Sequence, residues 1–198
     1  MSTDSTDGAY AERLRRIQLP WWKRVLDVQR PYRVHLRKLD LGFVLDVGCG
    51  IGRNLENLGA GNAVGVDPNK DALETCRKRG FVALTPEDLA ASEYGTPGRF
   101  DAMLMSHVLE HLHEADAIAL IQHYLPYVKS GGHCVFMTPQ EVGYRSDPTH
   151  VEFLDVPRLE ALVKKAGLAP VRGYSFPFPR VMGKVFKYNE FVVIAQKP

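Results

Sequence analysis

Along residues 43–196, short continuous apolar runs alternate with longer stretches in which apolar positions recur every three or four residues. The first kind predicts strands at 43–47, 63–67, 81–84, 101–106, 132–138, 168–174 and 189–195, and the second predicts helices at 52–58, 70–79, 115–127 and 157–166. Strands that are apolar throughout are buried on both faces, and strands separated by helices pair in parallel. The last two strands have only SFPFPRVMGKVFKY between them, which predicts a hairpin with a long loop and an antiparallel final strand. The expected fold is α/β: a seven-stranded, mostly parallel sheet with helices on both faces. Upstream, from Glu12 to Leu39, the pattern is helical, with breaks expected at Pro20 and Pro31. Residues 1–8 read as a disordered tail. Residues 9–198 read as one domain, with a helical cap at 9–40 and a lid loop at 175–188.

Composition narrows the class. With 198 residues, 45% hydrophobic and 24% charged, the chain is an ordinary globular domain. It holds no apolar run of membrane-spanning length, and the N-terminus lacks the apolar core of a signal peptide. Three scattered cysteines (Cys49, Cys76, Cys134) argue against a disulfide framework and for the cytoplasm. Net charge is only +2, but residues 12–38 carry nine Lys/Arg against Glu12 and Asp27. That local excess suits an anionic partner or a solvated helix face.

The chemistry begins at VLDVGCGIGRN, where a strand runs into Gly48, Gly50 and Gly52. Glycine at a strand-to-helix turn allows positive φ and lets a ligand approach the backbone. The dinucleotide fingerprint G-x-G-x-x-G requires its third glycine where this chain has Arg53, and no G-K-[ST] follows to make a phosphate loop. Asp46, two residues before the first glycine, suits a cation better than a pyrophosphate. Asp67 ends the next strand about 20 residues on, where an acid grips the two ribose hydroxyls. Its other possible role is to cap the helix near Lys70.

The blocks VLDVGCGIGRN, VGVDPN, FDAMLMSHVLEHL and LPYVKSGGHCVFMTP stand in an order and spacing that resembles the class I S-adenosylmethionine-dependent methyltransferases, type 11-like, over about residues 40–140. The resemblance implies a Rossmann-like methyltransferase fold and S-adenosylmethionine as cofactor. It places Asp46, Gly48, Gly50 and Arg53 around the methionine moiety, with Cys49 in the same loop, and Asp67 on the ribose. Pro68 and Asn69 would lie under the adenine, and the TPEDL stretch, with Glu87, Asp88 and Leu89, would border it. Ser106 and His107 would close the pocket beside the methionine.

His107 and His150 are the candidate catalytic residues, with Glu110, Tyr144 and Glu152 behind them. His150 lies in SDPTHVEF, beyond the strand ending near Thr138, where an imidazole could accept a proton from an acceptor. HVLEH (107–111) also matches H-x-x-E-H, the inverted zinc-peptidase pattern. Against it, His107 ends a strand, no third ligand is evident, and the methyltransferase resemblance accounts for the same letters. No metal site is expected. Trp21 and Trp22 in the cap, and Phe176, Phe178, Arg180, Lys184, Phe186, Lys187 and Tyr188 in the lid, suit a flat or anionic small molecule. The expectation is methyl transfer to an oxygen or nitrogen nucleophile on a small molecule. The alternatives are an RNA- or nucleotide-directed methyltransferase and a non-catalytic cofactor-binding partner protein. Oligomeric state is not legible.

Overall fold

A computed structural model describes residues 29–198. The expected tail, most of the cap, Pro20, Trp21 and Trp22 lie outside the described residues. Helix α1, Arg30–Lys38, opens with Pro31 in its first turn, where a missing N–H costs nothing. The proline expected to break this helix therefore starts it.

The remaining elements are β1 Val44–Val47, α2 Arg53–Leu58, β2 Ala63–Val66, α3 Lys70–Lys78, β3 Ala83–Leu84, α4 Pro86–Ala91 and β4 Phe100–Ser106. After them come α5 Glu114–Tyr124, β5 Val128–Pro139, α6 Glu141–Arg145, α7 Val156–Lys165, β6 Ala169–Phe176 and β7 Glu190–Gln196. Short 3₁₀ turns lie at Leu109–His111, Leu125–Tyr127 and Arg180–Lys184. The sheet order is β3-β2-β1-β4-β5-β7-β6. β1 to β5 pair in parallel, and β7 runs antiparallel to both β5 and β6. All seven expected strands are present, with the reversed last strand as expected.

The central strands feed two cores, because successive side chains point to opposite faces. Leu45, Val47, Met103, Met105 and Phe136 pack on one face with Ile121 of α5 and Leu159, Leu162 and Val163 of α7. Val44, Leu104, Val135 and Met137 pack on the other with Leu36 of α1, Leu55 of α2 and Leu73 of α3. The three cysteines are buried and free. Among the described residues no helix is long and apolar enough to cross a membrane.

Two helices went unread in the sequence. Thr85 caps α4 by accepting from Asp88 N, with Pro86 in the first turn, so TPEDL begins a helix. α6 is a short turn directly after β5. The expected helix 115–127 stops at Tyr124, because Pro126 has no N–H for the next bond and the chain tightens into 3₁₀. Strand order reverses around β1 and β4, and in open α/β sheets that crevice, at the carboxyl ends, is where ligands bind.

Candidate functional site

Gly48, Gly50 and Gly52 all take positive φ, at +74°, +51° and +83°. Their surroundings differ. A Cβ on Gly48 would lie 2.4 Å from Val108 Cγ2, so that glycine lets the loop pack on the turn after β4. A Cβ on Gly50 would meet nothing within 4 Å, which leaves an open side for a ligand.

Asp46 of β1 is fully buried beneath this loop, and neither carboxylate oxygen has a hydrogen-bond partner among the described residues. Burial pushes its pKa up to about 7; Asn54, near but outside hydrogen-bond geometry, and Arg53 pull the other way. An unpartnered buried carboxylate is costly and is a ready counter-ion for a cation. Asp67 is buried too, but each oxygen is engaged: Oδ2 accepts from Gly50 N and Oδ1 from Asn69 N, both at 2.8 Å. Each oxygen keeps a lone pair for a further donor. The helix cap is Asn69, which accepts from Ala72 N at 3.0 Å, so Asp67 is free of that role.

The other expected cofactor residues divide. Cys49 is buried with its thiol toward Gly50 O, and the neighbouring Cys76 thiol, with burial behind it, pushes its pKa up. Arg53 is exposed at the start of α2, its guanidinium 5.9 Å from the centre of the Tyr32 ring. Pro68, Glu87 and Asp88 are exposed near the strand ends. Leu89 is 1% exposed, with its side chain in the core, which leaves its backbone for any ligand contact. It faces inward because α4, unread in the sequence, turns it there.

Ser106 is buried at the end of β4, and His107 follows with φ +60°. His107 Nε2 lies 2.8 Å from Glu190 Oε1 and Nδ1 lies 3.2 Å from Glu110 Oε1. Its side chain keeps 30% exposure, yet the ring is deep among protein atoms. Burial opposes its charge, but Glu190 and Glu110 outweigh that and raise the pKa to about 9. His107 is thus a cation at neutral pH and is unsuited to accept a proton.

His150 is largely enclosed. Its side chain is 8% exposed, its ring stacks on Tyr144, and Nδ1 donates to Tyr144 O at 2.7 Å. Nε2 faces Glu110 Oε1 at 4.0 Å. One donor atom each from Glu110, His111 and His150 lies within 4.8 Å of the other two. The fold therefore brings His150 to Glu110 and His111 of HVLEH as a third candidate donor, although the set excludes His107.

The cap and lid meet each other. Tyr32 of α1 donates to Tyr188 O at 2.8 Å and meets Phe176 edge-on, while His35 stacks on Phe176 at 4.1 Å between ring centres. Beneath the lid, Asn189 Nδ2 donates to Gln140 Oε1 at 3.0 Å and Ser175 Oγ at 2.9 Å, and Gln140 Nε2 donates to Glu190 O at 2.9 Å. Asn189, Gln140 and Glu190 escaped the sequence reading. The one signal was polar residues interrupting the apolar strand ends. Arg180, expected to face a ligand, is instead paired with Glu141 and lies over Phe191.

A methyltransferase-domain family model matches residues 28–172. No curated protein matches the sequence. Among solved structures, an S-adenosylmethionine-dependent methyltransferase from Archaeoglobus fulgidus aligns at 19% identity and TM-score 0.64, covering 88% of this chain and 99% of its own. Magnesium protoporphyrin IX methyltransferase from Synechocystis, with bound S-adenosylhomocysteine, aligns at 16% and 0.65, covering 98% and 97%. A Haloferax volcanii complex of the Trm112 methyltransferase activator with a methyltransferase aligns at 14% and 0.68, covering both chains fully. At these identities the likeness is one of fold.

Proposed function

The chain belongs to the methyltransferase-domain family, and on that premise we propose that it transfers a methyl group from S-adenosylmethionine to an oxygen or nitrogen nucleophile on a small molecule. The observation that carries the reading is Asp46: a buried carboxylate without a partner, under a glycine loop with one open side. A methionine ammonium answers it, and a phosphate would be repelled. Asp67 would receive the ribose hydroxyls on the lone pairs its backbone contacts leave free. Asn69 and Pro68 would flank the adenine, with Glu87 and Asp88 at its rim. Gly48, Cys49, Gly50 and Arg53 would shape the methionine end, and Ser106 and His107 would close it.

When bound, S-adenosylmethionine supplies a methyl group activated by its sulfonium. The protein's share is then alignment and exclusion of water, which can supply much of the rate. His107, held as a cation by two carboxylates, is a positioning group. The cap helix and the lid, joined through Tyr32 and Phe176, would set acceptor shape. Three free buried cysteines support a reducing compartment, the cytoplasm. Family membership sets aside the non-catalytic alternative. A nucleotide- or RNA-directed reading is favoured by exposed Arg37, Lys38, Lys184 and Lys187, and steep salt dependence of acceptor binding would mark it.

Calorimetric titration with S-adenosylhomocysteine, with NAD as control, tests the reading. Micromolar binding of the first and none of the second is expected; binding of NAD alone would overturn it. Asp67→Ala should weaken S-adenosylhomocysteine binding by about 1–3 kcal/mol through loss of a charged acceptor. Unchanged affinity would remove Asp67 from the site.

A further inference from the structure

Glu110 is fully buried; its oxygens make no hydrogen bond among the described residues, and Oε1 lies 3.2 Å from His107 Nδ1. Within 4.8 Å of one another stand donor atoms from Glu110, His111 and His150. The His150 ring is held in one tautomer: Nδ1 donates to Tyr144 O at 2.7 Å and leaves Nε2 as the basic nitrogen, 4.0 Å from Glu110 Oε1. His111 Nδ1 lies 3.2 Å from Thr149 O and 3.1 Å from Thr149 Oγ1. A metal-binding histidine is normally oriented this way, its other nitrogen donating to a carbonyl. The segment carrying His150 is pinned to the same turn, since Val151 N and Glu152 N both donate to Glu110 O, at 2.8 and 3.1 Å.

We infer that Glu110, His111 and His150 form a binding site for a divalent first-row transition cation. Two imidazoles favour such a metal over Mg²⁺ or Ca²⁺, which prefer oxygen ligands. Three protein ligands leave coordination positions open, the arrangement of a catalytic rather than a structural site. His111 is exposed, so those positions are reachable from solvent. The site stands on the turn whose Val108 packs against Gly48, beside the glycine loop. The natural occupant of an open position is an acceptor oxygen, which the cation would orient and make more acidic, its proton leaving to water. That role rests on the methyl-transfer reading, while the metal site itself does not. It reverses the sequence-based expectation of no metal.

The test uses the chelator-treated full chain titrated with Co²⁺, followed by calorimetry and by visible absorption of the bound ion. One ion per chain is expected. His111→Ala, at an exposed position, and His150→Ala should each weaken binding by more than tenfold, since second-shell partners alone are worth about 10–100-fold. His111→Ala should keep S-adenosylhomocysteine affinity, so loss of the metal site is separable from failure of the cofactor reading. No stoichiometric Co²⁺ binding, or equal binding by wild type and both variants, would overturn the site. A Co²⁺ site with no S-adenosylhomocysteine binding would keep the metal and overturn its proposed use.

Discussion

The two halves of the crevice are built differently. On the glycine-loop side, the residues that matter are close in sequence: Asp67 reaches Gly50 across 17 positions, and Asn69 caps its own helix. On the β4 side, contacts span the chain: His107 meets Glu190 across 83 positions and Gln140 meets Glu190 across 50. The first side is a motif, and its chemistry shows in spacing. The second is an assembly, and its chemistry shows only when the sheet has brought strands together.

The sharpest way to break this contrast is at Gly50. Gly50→Val should abolish S-adenosylhomocysteine binding, because the side chain fills the open side of the loop. The variant should still unfold cooperatively, at a cost of about 1–2 kcal/mol for a β-carbon at positive φ. Retained binding in calorimetry would move the ligand off the loop.

Asp46→Asn should reduce affinity about 10–100-fold, the effect of losing a charged partner worth about 1.5–3 kcal/mol. Thermal stability of the ligand-free protein should move the opposite way. The raised pKa of Asp46 contributes stability that is present below the ordinary carboxylate range and lost as pH rises through about 7. The Asn variant, which never ionises, should therefore gain on wild type as pH climbs and level off above 7. Parallel losses of stability and affinity would return Asp46 to a purely structural role.

The same group predicts the pH profile. As pH falls below about 7, Asp46 takes up a proton and its attraction for an ammonium is lost, so wild-type affinity should decline while the Asn variant stays flat. A flat wild-type profile between pH 5 and 8 would sink that assignment.

The smallest effect expected on cofactor binding comes from the far side. A Cβ on Gly183 would lie 1.9 Å from Gln140 Oε1, inside the network that anchors the lid. Gly183→Ala should destabilise the protein by about 1–3 kcal/mol by overpacking. It should lower turnover and leave S-adenosylhomocysteine affinity intact. A matching loss of cofactor affinity would mean that the two halves are coupled.

This division explains what was legible. Seven strands and the reversed last one follow from apolar runs, because a buried parallel strand must be apolar throughout. The cap on α4 was written as Thr85-Pro86-Glu87-Asp88, but so short a helix carries too few apolar positions to show a period, and the inward turn of the Leu89 side chain stayed hidden with it. HVLEH was visible as letters. His150 as its third member was not, since nothing in Asp147 to Glu152 reveals which turn that segment lies against. Glu190 looked like the polar edge of a strand, and only the pairing of β7 with β5 sets it beside His107.

Asp67 carries one further consequence. Its two oxygens already fasten Gly50 and Asn69, so the loop is held in its working shape by folding itself. The entropy of ordering that backbone is borne before any ligand arrives, and binding becomes docking onto a preorganised surface. On the proposed reading this carboxylate is scaffold and ligand contact at once, so the affinity of the site and the rigidity of the fold would be inseparable at this position.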